Sequence, residues 1–293
     1  MLAQVVLTPV ESKKLIARAI ARMDFVKEAA QNGMVVMHPS SSTYFIVEAI
    51  TGERPVTNYW VCGVVAPRGM CVEMAMVLGG HTPRDGRNIP GESIAWWTIE
   101  RGKLAGEEQL SVLLDRMKST DVFIKGVNAL DPQGNVGILI GDPMQGGTWG
   151  VILSAWRKKK FNLVYPVGLE KLIPTPISEA VKEAKQARYE YAMGLPTGLF
   201  PCSNEGSTIV TELDAIEILS GATATPIAAG GLSGAEGAIT LVVKGNEEQV
   251  KKAIEHIEES KGAQLPQLRL SNCHDCRVPD CRFRVGEKHW FSA

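Results

Sequence analysis

Short apolar runs alternating with helical segments predict an α/β protein whose main sheet is mostly parallel and covered on both faces. Three observations carry that expectation. Met34–Met37 is a continuous apolar run of the kind a buried parallel strand shows, and Asp121-Val-Phe-Ile-Lys125 repeats the pattern. Helical periodicity flanks both runs. A turn-rich stretch, Gly194-Leu-Pro-Thr-Gly-Leu-Phe-Pro201, then precedes a helix–strand–strand–helix pattern that suggests a small ferredoxin-like α+β unit. The expected organisation is an α/β domain over residues 1–195, the α+β domain over 205–265, and a Cys-rich tail over 266–293.

Each element has a local reason. Thr8-Pro-Val-Glu11 reads as a capping box with proline at the first helical position, and Leu15, Ile16, Ala19 and Ile20 recur at helical spacing behind it. A second helical piece is expected to stop at a left-handed Gly33. After Met34–Met37, the loop His38–Thr43 leads into a helix over Tyr44–Ile50, closed by Gly52. Val61–Val65, Val136–Ile140 and Val151–Leu153 are further strand candidates, and Glu107–Met117 and Ile177–Tyr191 read as helices. In the second unit, Val210–Leu219 reads as helix and Thr225–Ala229 and Ala238–Val243 as strands. Glu247–Ser260 is an amphipathic helix with Val250, Ala253, Ile254 and Ile257 on one face.

Composition narrows the function. With 293 residues, 45% hydrophobic and 22% charged, the chain can bury a sizeable core. A formal net charge of −1 favours neither nucleic acid nor an anionic membrane as partner. Met1–Val10 lacks the basic start and long apolar run of a signal peptide, and Val61–Gly80 is broken by Pro67, Arg68 and Glu73, so a cytoplasmic location is expected. Homo-oligomerisation stays open. The run Arg157–Lys160 reads as a solvated loop or an anion site.

Several constellations bear chemistry. Ser41, Ser42 and Thr43, between a strand and a helix N-terminus, suit either an anion-binding loop or a capping loop. Asp121 to Asn135 reads as a strand and a turn rich in groups that hold an anion, with Lys125, Gly126 and Asn128 at its start. The adjacent Gly146 and Gly147 permit close backbone approach to a ligand, or simply a tight turn between strands. His81 faces the same cleft or solvent. The glycine-rich Gly230–Gly237 reads as a hairpin loop or as a ligand or subunit contact. In the tail, Cys273, Cys276 and Cys281, with His289, His274 or Cys202 as the candidate fourth ligand, have the donor set for zinc or, alternatively, an iron–sulfur cluster; a redox pair and spectator thiols are the other readings. No nucleotide cofactor is expected.

Ser41-Ser-Thr43 after a strand resembles the Gly-Ser-Thr phosphate loop of ribose-5-phosphate isomerases. Ile124-Lys-Gly-Val-Asn-Ala-Leu-Asp-Pro132 is similar to their Ile-Asp-Gly-Ala-Asp-Glu-Val-Asp-Pro loop. Val164-Tyr-Pro-Val-Gly-Leu-Glu-Lys-Leu-Ile-Pro174 resembles a late strand and loop of the related lactate-utilisation domains. The three motifs occur in order over roughly residues 1–190. They imply the three-layer parallel-sheet fold of the isomerase/CoA-transferase superfamily for the first domain. Lys125, Asn128 and Ala129 stand where the isomerases carry acidic residues, so their proton-transfer chemistry is not implied. The CoA transferases of this superfamily use a glutamate nucleophile, for which Glu73 and Glu100 are candidates by type alone. The combined expectation is a cytoplasmic protein that binds a small anionic metabolite, a phosphorylated or CoA-linked acid. A transferase-like enzyme and a non-catalytic sensor with a metal-bound tail are the alternatives.

Overall fold

The computed structural model describes residues 1–55, 60–72, 96–106, 108–184, 189, 191–202, 205–270, 272–273 and 281. The chain is mixed α/β. Its main sheet has six strands, β2 (Met34–Met37), β5 (Trp97–Glu100), β6 (Lys103–Leu104), β7 (Val122–Ile124), β10 (Asn162–Pro166) and β12 (Ser207–Val210), in the order β12-β10-β7-β2-β5-β6. The first four positions are parallel and the β5–β6 hairpin closes the edge antiparallel. Alternate residues along the strands face opposite layers. Val35, Met37, Val122, Ile124, Val164 and Val210 share a core with α1 (Pro9–Arg22), α2 (Asp24–Asn32) and α3 (Tyr44–Thr51). Met34, Val36, Phe123, Leu163 and Tyr165 pack on the other side, against α4 (Leu110–Arg116) and α5 (Gly147–Lys159).

A three-stranded antiparallel sheet, β1 (Leu2–Leu7), β14 (Ile239–Lys244) and β13 (Thr223–Ala229), lies beyond α1. Leu7, Leu241 and Val243 on it, and Ala215, Leu219, Val250 and Ile257 on α7 (Glu212–Ser220) and α8 (Glu247–Glu258), belong to the same continuous core as the first face of the main sheet. The expected boundary between residues 195 and 205 is therefore crossed twice. β1 leaves the first segment to pair with β14, and β12 leaves the second to pair with β10. Two further sheets are small: β3 (Gly63–Ala66) with β4 (Gly69–Val72), and β11 (Gly198–Pro201) with β9 (Val136–Ile140) and β8 (Ala129–Leu130). α6 (Ile177–Ala184) packs its Ile177 and Val181 with Ala129 and Leu199. Among the described residues no helix is long and apolar enough to cross a membrane.

Local expectations meet the structure unevenly. The capping box is present: Glu11 N–H donates to Thr8 Oγ1 at 3.4 Å and Thr8 N–H to Glu11 Oε2 at 2.9 Å. Gly52 closes α3 at φ +78°. Gly33 is not left-handed; its φ is −132°. It is needed for space, because a Cβ there would stand 2.5 Å from Asp121 Oδ1, which accepts from Met34 N–H at 2.9 Å. Val151–Leu153 is helix, not strand. Trp149, Ile152, Leu153 and Trp156 are buried at helical spacing, and the run Arg157–Lys159 is the last turn of α5, where cations complement the helix dipole.

Candidate functional site

Beyond the C-terminal ends of β2, β7 and β10, the position where open parallel sheets hold their ligands, lies a cleft of about 760 Å³. Each strand leads one loop into it. β2 continues into His38–Ser42, β7 into Lys125–Asn128, and β10 into a single 3-10 turn over Leu169–Lys171. The N-terminus of α5 adds Gly146, Gly147 and Thr148, and β3, β4 and β9 supply an apolar wall that includes Val64, Met70 and Ile140.

Of the residues singled out in the sequence, Ser41, Ser42, Lys125, Gly126, Asn128, Gly146 and Gly147 line this one cleft. Thr43 does not. It is fully buried, and its hydroxyl donates to the His38 carbonyl at 2.6 Å, so it braces the loop from behind. Gly126 serves the packing of two loops, since a Cβ there would meet Ser40 Oγ at 2.9 Å. Asn128 Oδ1 accepts from Leu139 N–H at 3.0 Å and fixes the β9 side of the cleft. Gly146 and Gly147 adopt φ +84° and +48°, conformations that favour glycine, and they open a helix rather than a turn between strands. Asp131 stays out of the cleft: it is buried and accepts from Gln133, Asn135 and Ile177 backbone N–H groups.

Three lysines face the cleft, and Lys125 alone among them is marked as a ligand by the sequence. Lys125 Nζ donates to its neighbour's carbonyl, Gly126 O, at 3.2 Å. Lys13 is 2.6 Å from Glu170 Oε1. Lys171 Nζ donates to Val127 O at 2.8 Å and to Ser42 Oγ at 3.2 Å. Burial lowers the pKa of both Lys125 and Lys171; with Lys13 and Lys125 nearby, that of Lys171 comes down to about 8. Asp142 is the carboxylate among the described lining residues, and it accepts from Met144 and Gln145 N–H groups at the turn before α5. His38 Nδ1 lies 3.0 Å from Pro39 O, and because a carbonyl only accepts, that nitrogen carries the proton. Burial and then Lys125 hold the imidazole well below its usual pKa, so it is neutral with Nε2 free to accept. Cys62 also lines the cleft, but burial pushes its thiol up to about 12, against the pull of Lys125. It is no thiolate at neutral pH.

The remaining candidates separate from the cleft. Glu100 pairs with Arg116 at the edge of the main sheet. Gly230–Gly237 joins β13 to β14 and leaves Leu232 82% exposed. Glu73, His81, Cys276 and His289 lie outside the described residues. Cys273 Sγ accepts from Arg68 Nη1 at 3.5 Å, and neither Cys273 nor Cys281 is in a disulfide. Among the described residues no group of three His, Cys, Asp or Glu side chains is placed to hold a metal ion.

Lys171 and Lys13 are not legible as ligands in the sequence, for different reasons. Lys171 lies within the Val164–Pro174 motif, but nothing local marks its side chain. Lys13 sits on a helix whose periodicity explained the segment without it. Comparison of the chain with known protein families, curated proteins and solved structures finds no match.

Proposed function

We propose that the chain binds a small anionic metabolite, a phosphorylated or CoA-linked acid, in the cleft at the C-terminal ends of β2, β7 and β10. The observation that carries this reading is the charge of the lining: Lys125, Lys171 and Lys13, the last paired with Glu170, against the single lining carboxylate of Asp142 among the described residues. Lysines in a partly dehydrated cleft attract an anion more strongly than surface lysines do, because the effective dielectric is lower. The N-terminus of α5 adds backbone N–H donors and the positive end of a helix dipole. The apolar wall suits the aliphatic body of an acyl or pantetheine group. The resemblance of the three loops to the isomerase/CoA-transferase superfamily points the same way. A zinc- or cluster-bound tail remains a separate proposal resting on the thiols of the sequence.

Titration of wild-type and Lys125→Ala protein with acetyl-CoA, acetyl phosphate and ribose 5-phosphate tests the reading. At least one should bind the wild type, and Lys125→Ala should weaken that binding at least ~10-fold, about 1.4 kcal/mol. Equal affinity in the two proteins would remove Lys125 from the site. Bound ribose 5-phosphate should not be isomerised, since Asn128 and Ala129 offer no carboxylate to move its proton.

A further inference from the structure

We propose that Lys171 is a nucleophilic amine and that the ligand of the cleft is an anion that also carries an aldehyde or ketone, which Lys171 captures as an imine. The inference rests on the anion-binding reading and names the ligand class more closely. Its first support is the hydrogen bonding of the amine. Lys171 Nζ has two acceptors, Val127 O at 2.8 Å and Ser42 Oγ at 3.2 Å. Both acceptors hold the nitrogen at the cleft in either protonation state; in the neutral form they take its two N–H bonds and leave the lone pair for a ligand carbon. The second support is the division of charge. Glu170, the adjacent carboxylate, pairs with Lys13 and not with Lys171. Lys171 thus shares the cleft with two other cations and makes no salt bridge among the described residues. Burial, then Lys13 and Lys125, lower its pKa to about 8 against the pull of Glu170 and Glu212, so a fraction of the amine is neutral and nucleophilic near neutral pH while the rest adds to the cleft's positive charge.

The chemistry balances without an oxidant or a further reactant. The lone pair of Nζ adds to the carbonyl carbon, and the amine proton passes to the carbonyl oxygen to give a carbinolamine. Its hydroxyl then leaves as water after taking up a proton, the nitrogen lone pair closes the C=N bond to give the protonated imine, and loss of its N–H proton returns the proton taken up and leaves the imine. His38, neutral and lining the same cleft, is a proton carrier of suitable type. Lys125 and Lys13 hold the phosphate or carboxylate in this scheme. The ligand class is therefore a phosphorylated or carboxylated aldehyde or ketone.

The test uses pyridoxal 5′-phosphate, an aldehyde with a phosphate, on the full chain near neutral pH, followed by borohydride reduction and peptide mapping. The expected result is about one reduced adduct per chain, on Lys171, formed at least ~10-fold faster than with unphosphorylated pyridoxal and lost in Lys171→Arg. Adducts spread over other lysines with Lys171 unmodified would overturn the proposal. Should Lys171→Arg not fold, the wild-type map decides alone. If acetyl-CoA or a phosphate ester binds but Lys171 is unmodified, this inference fails and the anion-binding reading stands. If Lys171 reacts equally with both aldehydes, the amine chemistry stands and the anion-binding reading fails.

Discussion

Asp131 shows how a polar residue in a functional-looking loop can serve structure. It is 1% exposed, and its carboxylate gathers the N–H groups of Gln133, Asn135 and Ile177, tying the β8–β9 turn to the start of α6. Those bonds hold its pKa below the usual aspartate value, against the opposing effect of burial. Asp131→Ala should cost about 3 kcal/mol in urea unfolding, because it strips buried donors of a charged acceptor. A loss under about 0.5 kcal/mol, ordinary for a surface change, would contradict that role. The sequence made a structural role for Asp131 legible, since turn aspartates commonly bond backbone N–H groups nearby. It also made legible that Ser42, Lys125 and Gly147 belong to one place, because each follows a strand or opens a helix. It hid Lys171, whose proximity to Ser42 spans 129 positions of chain.

At the scale of elements, the contact between α1 and α8 has a titratable centre. His256 is buried, with Arg22 Nη1 3.0 Å from its Nε2 and Glu259 Oε2 3.1 Å from its Nδ1, and Arg18 also within reach. Arginine only donates, so each ring nitrogen faces a donor, Arg22 at Nε2 and Arg18 at Nδ1, with Glu259 Oε2 as the one acceptor beside Nδ1. Burial lowers the pKa of His256, and with Arg22 and Arg18 it outweighs Glu259, which raises it. The unfolded chain therefore takes up a proton that the folded chain refuses. The stabilisation is complete above the unfolded value of about 6.5 and is lost as pH falls toward the lower folded value. Thermal unfolding should show Tm dropping between about pH 7 and pH 5, and less steeply in His256→Gln. Identical pH profiles would contradict it. The helices themselves were readable from caps and apolar stripes, as at Thr8 and Val250. α5 was not, because its Val-Ile-Leu run is as apolar as a strand and only the wider spacing from Trp149 to Trp156 shows the helical period.

At the scale of the whole molecule, β1 and β12 stitch the two halves of the chain together. β1 escaped notice because its outward residues Leu2 and Val6 are as apolar as its inward ones, which blurs the alternation that marks a half-buried strand. A fragment of residues 1–195 keeps β1 without β14 and β10 without β12, so it should show no cooperative thermal transition. A sharp transition in that fragment would establish an autonomous first domain. The cleft itself is lined from the first half alone, by residues from Lys13 on α1 to Lys171 after β10. Nuclear magnetic resonance of the lysine side chains during titration with inorganic pyrophosphate tests the central claim most directly. The account expects the Lys125 and Lys171 signals to shift saturably with one common Kd, while exposed lysines such as Lys251 stay still. Shifts of similar size at every lysine, or none at Lys125 and Lys171, would contradict an anion site in this cleft.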